Sequence, residues 1–154
     1  MNANTCSNNQ GSNSLKSVEI FTDGSAQGNP GPGGYGVILS HGKHMKELSE
    51  GFKHTTNNRM ELLAVIAGLE ALKYPCKVKI TSDSQYVVKS IDRGTVARWR
   101  ARGWRRINSK SKVKNIDLWQ RYLEAAERHE IEIVWIRGHA GHSNENAGAA
   151  GRYE

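Results

Sequence analysis

The sequence predicts an α/β domain built on a mixed sheet, and three observations carry that expectation. Short runs rich in β-branched and aromatic residues come first, at residues 18–23, 35–40 and about 46–53. A long segment of helical period follows from Asn58. Strand-like and helix-like segments then alternate, with strands at 77–83 and 131–136. The 154 residues suffice for one domain with a hydrophobic core of its own.

VEIFTD (18–23) is the first strand, bounded by the turn signal DGS. GNPGPGGYG (28–36) reads as a loop, because Pro30 and Pro32 interrupt a hydrogen-bonded ladder and the glycines admit tight turns. YGVILS (35–40) and residues 46–53 form the second and third strands of an antiparallel meander, with HGKH at the turn. In the helix that follows, Leu62, Ile66, Leu69 and Leu72 share one face, and Asn58 with Glu61 three residues later makes a capping-box-like start. Pro75 ends this helix near Tyr74. KVKITSD (77–83) alternates Lys with Val and Ile, as a half-buried strand does, and closes on Asp83. A short helix through SQYVVKSI comes next, then a basic irregular stretch. An amphipathic helix from about Ile116 to Arg128, with Ile116, Trp119, Leu123 and Ala126 inward, leads to the last strand, IEIVWI (131–136).

Composition narrows the function. The chain has 22 Lys and Arg against 15 Asp and Glu, a formal charge of +7 that is unevenly spread and fits a polyanionic partner, nucleic acid first. Cys6 and Cys76 are isolated and give neither a disulfide framework nor a paired metal-binding motif, so a reducing, cytoplasmic setting is expected. Residues 1–17, rich in Asn and Ser and without the apolar run of a signal peptide, read as a disordered tail before a domain over 18–154. No apolar stretch approaches the roughly 20 residues of a membrane-spanning helix, so no membrane partner is expected. A monomer is expected. The glycines of GNPGPGG are not a nucleotide-binding loop, since no Lys-Ser/Thr follows.

Active sites of open α/β sheets gather beyond the carboxyl ends of the strands, where Asp23 and Asp83 close theirs. Either one alone is ordinary turn chemistry. On neighbouring strands the two converge, and Glu61, at the start of the long helix, either points at the same spot or caps its helix. Three converging carboxylates repel one another unless cations hold them. Oxygen-only clusters suit Mg²⁺ or Mn²⁺, and a pair of such ions roughly 4 Å apart can activate a water and stabilise the leaving oxygen of a phosphodiester.

From Arg93 to Lys114 the chain carries nine Lys or Arg and no acidic residue, with Trp99 and Trp104 interleaved. That is the footprint of backbone binding, in which cations such as Arg98, Arg100, Arg102 and Arg105 take phosphates and an aromatic face meets sugars or bases. Near the end, His139 and His142 of GHAGH lack a neighbouring cysteine or further histidine, which argues against a zinc site.

FTDGSAQGNPGPGGYG, TTNNRMELLAVIAGLEAL, TSDSQYV, ARGWR, VKNIDLWQRY and WIRGHAGH occur in the order found in type 1 ribonucleases H of the bacterial kind, and the chain resembles that family over nearly everything from Val18 to His142. The resemblance implies a five-stranded mixed sheet with helices on both faces, and endonucleolytic cleavage of the RNA strand of RNA/DNA hybrids. It implies that Asp23 bridges two divalent ions and that Glu61 and Asp83 complete the shell of the second. His139 then assists proton transfer or product release, a task suited to a group titrating near neutrality, and His142 is structural. The basic stretch resembles the protrusion with which the family grips the DNA strand, although here it is one residue longer before Trp99, and Gly94 and Thr95 stand where an aromatic is usual. Asn29, Asn57, Asn58 and Gln85 match positions that contact the groove, where short polar side chains sense the 2′-hydroxyl, and Thr56 and Asn115 match a pocket for a DNA phosphate. Each of these six is also a residue type that serves turns and caps.

One part of the pattern is missing. The family continues with an Asn-Glu-x-Ala/Cys-Asp motif that opens a final helix and supplies a fourth carboxylate, a ligand of the water-activating ion. NENAG places Gly148 there, and a gapless count from His139 gives Ala149 instead. Glu145, Asn146 and Glu154 are the candidate substitutes. Gly148 and Gly151 weaken what remains of that helix. Three functions remain open on the sequence: a ribonuclease H with an impaired or rearranged first metal site, a hybrid-binding module that has lost catalysis, and a transposase-like nuclease acting on DNA. The long match, including NNRMEL and the basic stretch, argues against the third.

Overall fold

The computed structural model describes residues 15–106 and 111–138. Five strands, β1 (Lys16–Ala26), β2 (Gly31–His41), β3 (His44–Thr55), β4 (Cys76–Ser82) and β5 (Glu130–Trp135), form one sheet in the order β3-β2-β1-β4-β5. The meander β1-β2-β3 is antiparallel, and β4 and β5 join it in parallel. The helices are α1 (Asn57–Glu70), α2 (Gln85–Asp92), α3 (Thr95–Ala101) and α4 (Ile116–Ala126). This is the expected mixed sheet.

Burial alternates along the strands. Val18 and Ile20 of β1, Val37 and Leu39 of β2, Val78 and Ile80 of β4 and Ile133 of β5 are buried beneath Leu62, Val65, Ile66 and Leu69 of α1 and Val87 and Val88 of α2. Fully burying each such side chain contributes about 1.5–3 kcal/mol. Helix α1 packs on β1 and β2, α2 on β4 and β5, α3 on α2 and α4 on α1, so the four described helices gather on one face. Phe21, Ile38, Thr81 and Val134 on the other face stay partly exposed. The helix expected on that second face falls after Gly138 and lies outside the described residues.

Several boundaries differ from the sequence expectation, each for a tertiary reason. Strand β1 begins at Lys16, within the segment expected as tail, because Lys16 and Ser17 pair with Cys76 and Lys77. The segment expected as a loop over 28–36 is strand from Gly31: Gly33–Gly36 pair on one side with Ala26–Asp23 and on the other with Phe52–Ser49. Pairing on both sides overrides the poor strand propensity of Gly, and Pro32 sits where the β2–β3 register shifts, at an irregularity that tolerates its missing N–H.

The N-cap of α1 is Thr56, not Asn58: its Oγ1 accepts the Arg59 N–H at 3.2 Å. Glu61 therefore does not cap its helix. Helix α1 stops at Glu70, short of the expected Tyr74, and Arg128 closes the exit by donating to the carbonyls of Leu72 and Lys73. The basic stretch expected to be irregular contains α3. In α4 the buried residues are Leu118, Trp119 and Tyr122, whereas Ile116, Leu123 and Ala126 are half-buried. The stripe turns because Trp119 is wholly buried and packs against the rings of Tyr86, Trp99 and Tyr122.

Candidate active site

Strand register brings the two aspartates level. The last parallel pair between β1 and β4 is Phe21 with Thr81, so Asp23 and Asp83 each lie two residues further along neighbouring strands. Asp23 does not close β1, which runs on to Ala26 beside β2. It stands where β4 has ended, opposite Gly36 of β2, and its side chain is exposed. Asp83 follows the last residue of β4 and is buried, 6% exposed.

Glu61 arrives from α1, and Gly24 lets it. A Cβ on Gly24 would lie 2.6–2.8 Å from the backbone of Met60 and Glu61, so only glycine allows the helix to rest on β1 at this point. Glu61 is 1% exposed. Ligand oxygens of Asp23, Glu61 and Asp83 all lie within 4.8 Å of one another. In the absence of a cation, burial above all pushes the Glu61 carboxyl up to about 10, reinforced by the charge of Asp83, a hydrogen bond with Asp83 and the charge of Asp23; the Gly24 backbone N–H opposes the shift. Holding Glu61 ionised here requires positive charge.

The end of β5 holds Asp83 in place. The Trp135 indole donates to the Asp83 backbone carbonyl at 3.1 Å, and the Ile136 N–H to the Ser82 carbonyl at 3.0 Å. Gly138 lies directly on the carboxyl group: a Cβ there would approach Asp83 Oδ2 to 2.5 Å. Sequence reading missed Gly24, Trp135 and Gly138, because a glycine after a strand carries no mark of what packs on it. Gly138→Ala is therefore expected to displace the Asp83 carboxylate and weaken divalent-cation binding by at least about tenfold, equivalent to about 1.4 kcal/mol. Isothermal titration with Mn²⁺ checks this, and an unchanged affinity would show that the carboxylate has room to move.

The residues expected at the groove sit between β1 and β2 (Asn29), in the first turn of α1 (Asn57 and Asn58) and at the start of α2 (Gln85). Asn29, with φ of 23°, accepts the Asn57 N–H at 2.8 Å through Oδ1, and Asn57 accepts the Ala26 N–H at 2.6 Å. Each of these bonds occupies one lone pair of a side-chain oxygen, and the amide N–H groups remain donors; Asn57 is nevertheless only 5% exposed. Asn58 is half-buried in the first turn of α1, and exposed Gln85 accepts from Lys89. Thr56 and Asn115 both bond to Arg59, the latter through a 3.2 Å contact from the guanidinium.

In the basic stretch Arg100, Arg102 and Arg105 are exposed. Arg98, also exposed, spends its guanidinium on the Arg93 carbonyl and the Thr95 hydroxyl. Trp99 and Trp104 are half-buried and anchor the stretch to the core, Trp99 against the ring of Trp119. Arg105 and Lys112 bridge its two sides. Residues 107–110 between them, and His139, His142, Glu145, Asn146, Gly148, Ala149, Gly151 and Glu154, lie outside the described residues.

Three carboxylates, two of them buried, thus meet where the parallel pairing of the interior strands β1 and β4 ends, an arrangement able to hold a divalent cation, as metal-dependent hydrolases require. The RNase H family model matches residues 15–151, and the chain belongs to that family. It is 61% identical over 127 residues to the ribonuclease H of Proteus mirabilis, covering 82% of this chain and 79% of that protein. The ribonuclease H of Syntrophus aciditrophicus is 59% identical over 125 residues, covering 81% and 72%. Among solved structures, LC9-RNase H1, described as a type 1 RNase H with the type 2 active-site motif, superposes with a TM-score of 0.73 at 33% identity over 88% of this chain and 70% of that one. LC11-RNase H1, solved in complex with an RNA/DNA hybrid, gives 0.55 at 26% identity over 80% and 89%.

Proposed function

We propose that the protein hydrolyses the RNA strand of RNA/DNA hybrids endonucleolytically, with a pair of divalent cations held by Asp23, Glu61 and Asp83. The observation that carries this reading is the convergence of those carboxylates, two of them buried, on a chain of the RNase H family. The relative solved on an RNA/DNA hybrid supports the substrate class. The donor set fits the metal: all three groups offer hard oxygen, as Mg²⁺ and Mn²⁺ prefer. When bound, such ions supply Lewis-acid stabilisation of the phosphodiester and an acidified water.

The chain's own residues do the rest. Burial of Glu61 and Asp83 fixes the acidic cluster on one side, while exposed Asp23 faces the substrate. The amide N–H groups of Asn29, Asn57, Asn58 and Gln85 are suited to groove oxygens, including the 2′-hydroxyl. Thr56 and Asn115 take a phosphate of the DNA strand, and the exposed arginines of the basic stretch take others. His139 handles a proton or releases product, a role supported by its place in the GHAGH motif within the span matched by the family model. The protein acts as a monomer in a reducing, cytoplasmic setting; the support for the compartment is its cysteine usage, with Cys76 buried and free. Among the described residues no helix is long and apolar enough to cross a membrane.

Cleavage of an end-labelled hybrid in Mg²⁺ and in Mn²⁺ tests the reading. Internal cuts confined to the RNA strand are expected; tight hybrid binding with no cleavage in either metal would instead make the protein a binding module. With Gly148, or Ala149 on the gapless count, at the position of the fourth carboxylate, neither of which offers a ligand oxygen from its side chain, Mn²⁺ is expected to support faster cleavage than Mg²⁺. Gly148→Asp is expected to raise the Mg²⁺-dependent rate by at least about tenfold, or about 1.4 kcal/mol of barrier. Full activity in the parent with no gain on substitution would show that Glu145, Asn146 or Glu154 already serves.

Replacing Arg100, Arg102 and Arg105 by Ala is expected to flatten the dependence of log affinity on log salt by up to about 0.9 per lost phosphate contact, if the duplex behaves like B-DNA. Arg98→Ala is expected to do less, since that guanidinium is engaged within the protein. Fluorescence anisotropy across a salt series measures both, and an unchanged slope would mark the stretch as an ordinary solvated surface.

A further inference from the structure

We propose that Arg59 is the positioning residue of the DNA-phosphate contact: its backbone N–H and its guanidinium together fix Thr56 and Asn115, the two side chains that take the phosphate. The inference rests on the phosphate reading of those two residues. Thr56 Oγ1 accepts the Arg59 N–H at 3.2 Å, which occupies an acceptor lone pair and leaves the hydroxyl hydrogen to be donated outward. Arg59 Nη1 reaches Asn115 Oδ1 at 3.2 Å. A guanidinium only donates, so this contact decides which way the Asn115 amide faces: oxygen to Arg59, nitrogen away.

The nitrogen is held as well. Asn115 Nδ2 donates to the Tyr86 hydroxyl at 3.1 Å, and that oxygen also accepts the Trp119 indole N–H at 2.9 Å. One of the two Nδ2 hydrogens is thereby used, and the other is available to an anion. The backbone of Asn115 sits at φ 63°, ψ 33°, a left-handed conformation that Asn tolerates, with its carbonyl accepting the Trp119 N–H at 2.9 Å. Both the donor and its backbone are pre-set.

Arg59 is itself immobilised. Asp117 accepts from Nη1 at 3.0 Å and from Nη2 at 2.7 Å. This hydrogen-bonded pair holds the guanidinium above and the Asp117 carboxyl below their ordinary values, and it offsets the charge of Arg59. Arg59 thus acts on the phosphate through its neighbours more than as a free cation. The helices α1 and α4 share a second bidentate ion pair, Arg121 with Glu70 at 2.8 and 2.7 Å, which touches neither Thr56 nor Asn115. It provides an internal control for a merely structural bridge.

The test measures hybrid affinity with a set of duplexes, each carrying one uncharged methylphosphonate at a different linkage of the DNA strand, alongside the unmodified hybrid. One linkage is expected at which neutralisation weakens the parent and at which Thr56→Ala and Asn115→Ala cause no additional loss. Arg59→Met and Arg59→Lys are both expected to weaken binding of the unmodified hybrid about tenfold, the scale of one hydrogen bond to a charged group, and to show little further loss at that same linkage. Lys should not rescue, because one ammonium cannot reproduce the planar fork that serves Asp117 and Asn115 together. Arg121→Met should show no linkage-specific effect, and Tyr86→Phe, which keeps the ring, should reproduce a smaller version of the Arg59 pattern even if the Arg59 variants fold poorly. Absence of any linkage effect for Thr56→Ala and Asn115→Ala overturns the phosphate reading itself. A linkage effect for those two, with retained affinity in Arg59→Lys or an equal loss at every linkage in Arg59→Met, overturns the positioning role alone.

Discussion

Asp23→Asn and Asp83→Asn are each expected to lower hybrid cleavage by on the order of 10³-fold or more, since a lost cation ligand removes several kcal/mol of charge stabilisation from the transition state. Neither change removes packing. Asn is isosteric with Asp, Asp23 is exposed, and the bond from Trp135 reaches the backbone carbonyl of residue 83, which the substitution leaves in place. Hybrid affinity should therefore persist, because the phosphate contacts proposed above fall to the basic stretch and to Thr56 and Asn115, which neither substitution touches. Single-turnover cleavage, circular dichroism and a binding titration on the same preparations separate these effects. Substantial cleavage by both variants, freed of contaminating nuclease, would refute the assignment of the site.

Glu61→Gln is expected to stabilise the metal-free protein at alkaline pH while impairing cleavage. The carboxyl sits at about 10 in the folded chain against an ordinary value of 4.5. Below 4.5 both folded and unfolded states hold the proton, and there is no penalty. Between 4.5 and about 10 the unfolded chain has released its proton while the folded chain retains it, so stability falls as pH rises, by about 1.4 kcal/mol per pH unit. A glutamine is a permanently neutral stand-in that removes this slope. At pH 8 in chelator the variant should melt higher than the parent by on the order of 10 °C, using a few °C per kcal/mol, and the gap should nearly close at pH 5. Adding Mg²⁺ should raise the parent's Tm and release a proton, with a smaller rise in the variant. Parallel Tm–pH curves for the two proteins in chelator would show that Glu61 is ionised in the metal-free fold.

The order of strands and helices could be read locally, because the periods of two and of about 3.6 residues are written in the side chains themselves. Edges could not. Gly33–Gly36 looks like a loop by composition and is strand because β1 and β3 pair with it on both sides. Thr56, Asn57 and Asn58 all qualify as N-caps, and Thr56 takes that role where Asn57 is bound to Ala26 and Asn29. Trp99 and Trp104 suggested nucleic-acid contacts by their company of arginines, yet much of each ring packs on the core.

The same division holds at the site. The sequence by itself determined which residue types meet: Asp23, Glu61 and Asp83 stand in long motifs shared with the ribonucleases H, and a charge of +7 concentrated near Arg93–Lys114 points to a polyanion. Only the tertiary structure decided how they meet. That Asp23 and Asp83 lie level depends on the register of β1 against β4, and that Glu61 joins them depends on a helix resting against Gly24. Gly138 on the Asp83 carboxyl, and the Arg59 guanidinium on Asn115, are contacts between residues more than 50 positions apart. Local chemistry records what a side chain can do; its pKa, its orientation and its neighbours come from burial and packing, which the whole chain sets at once.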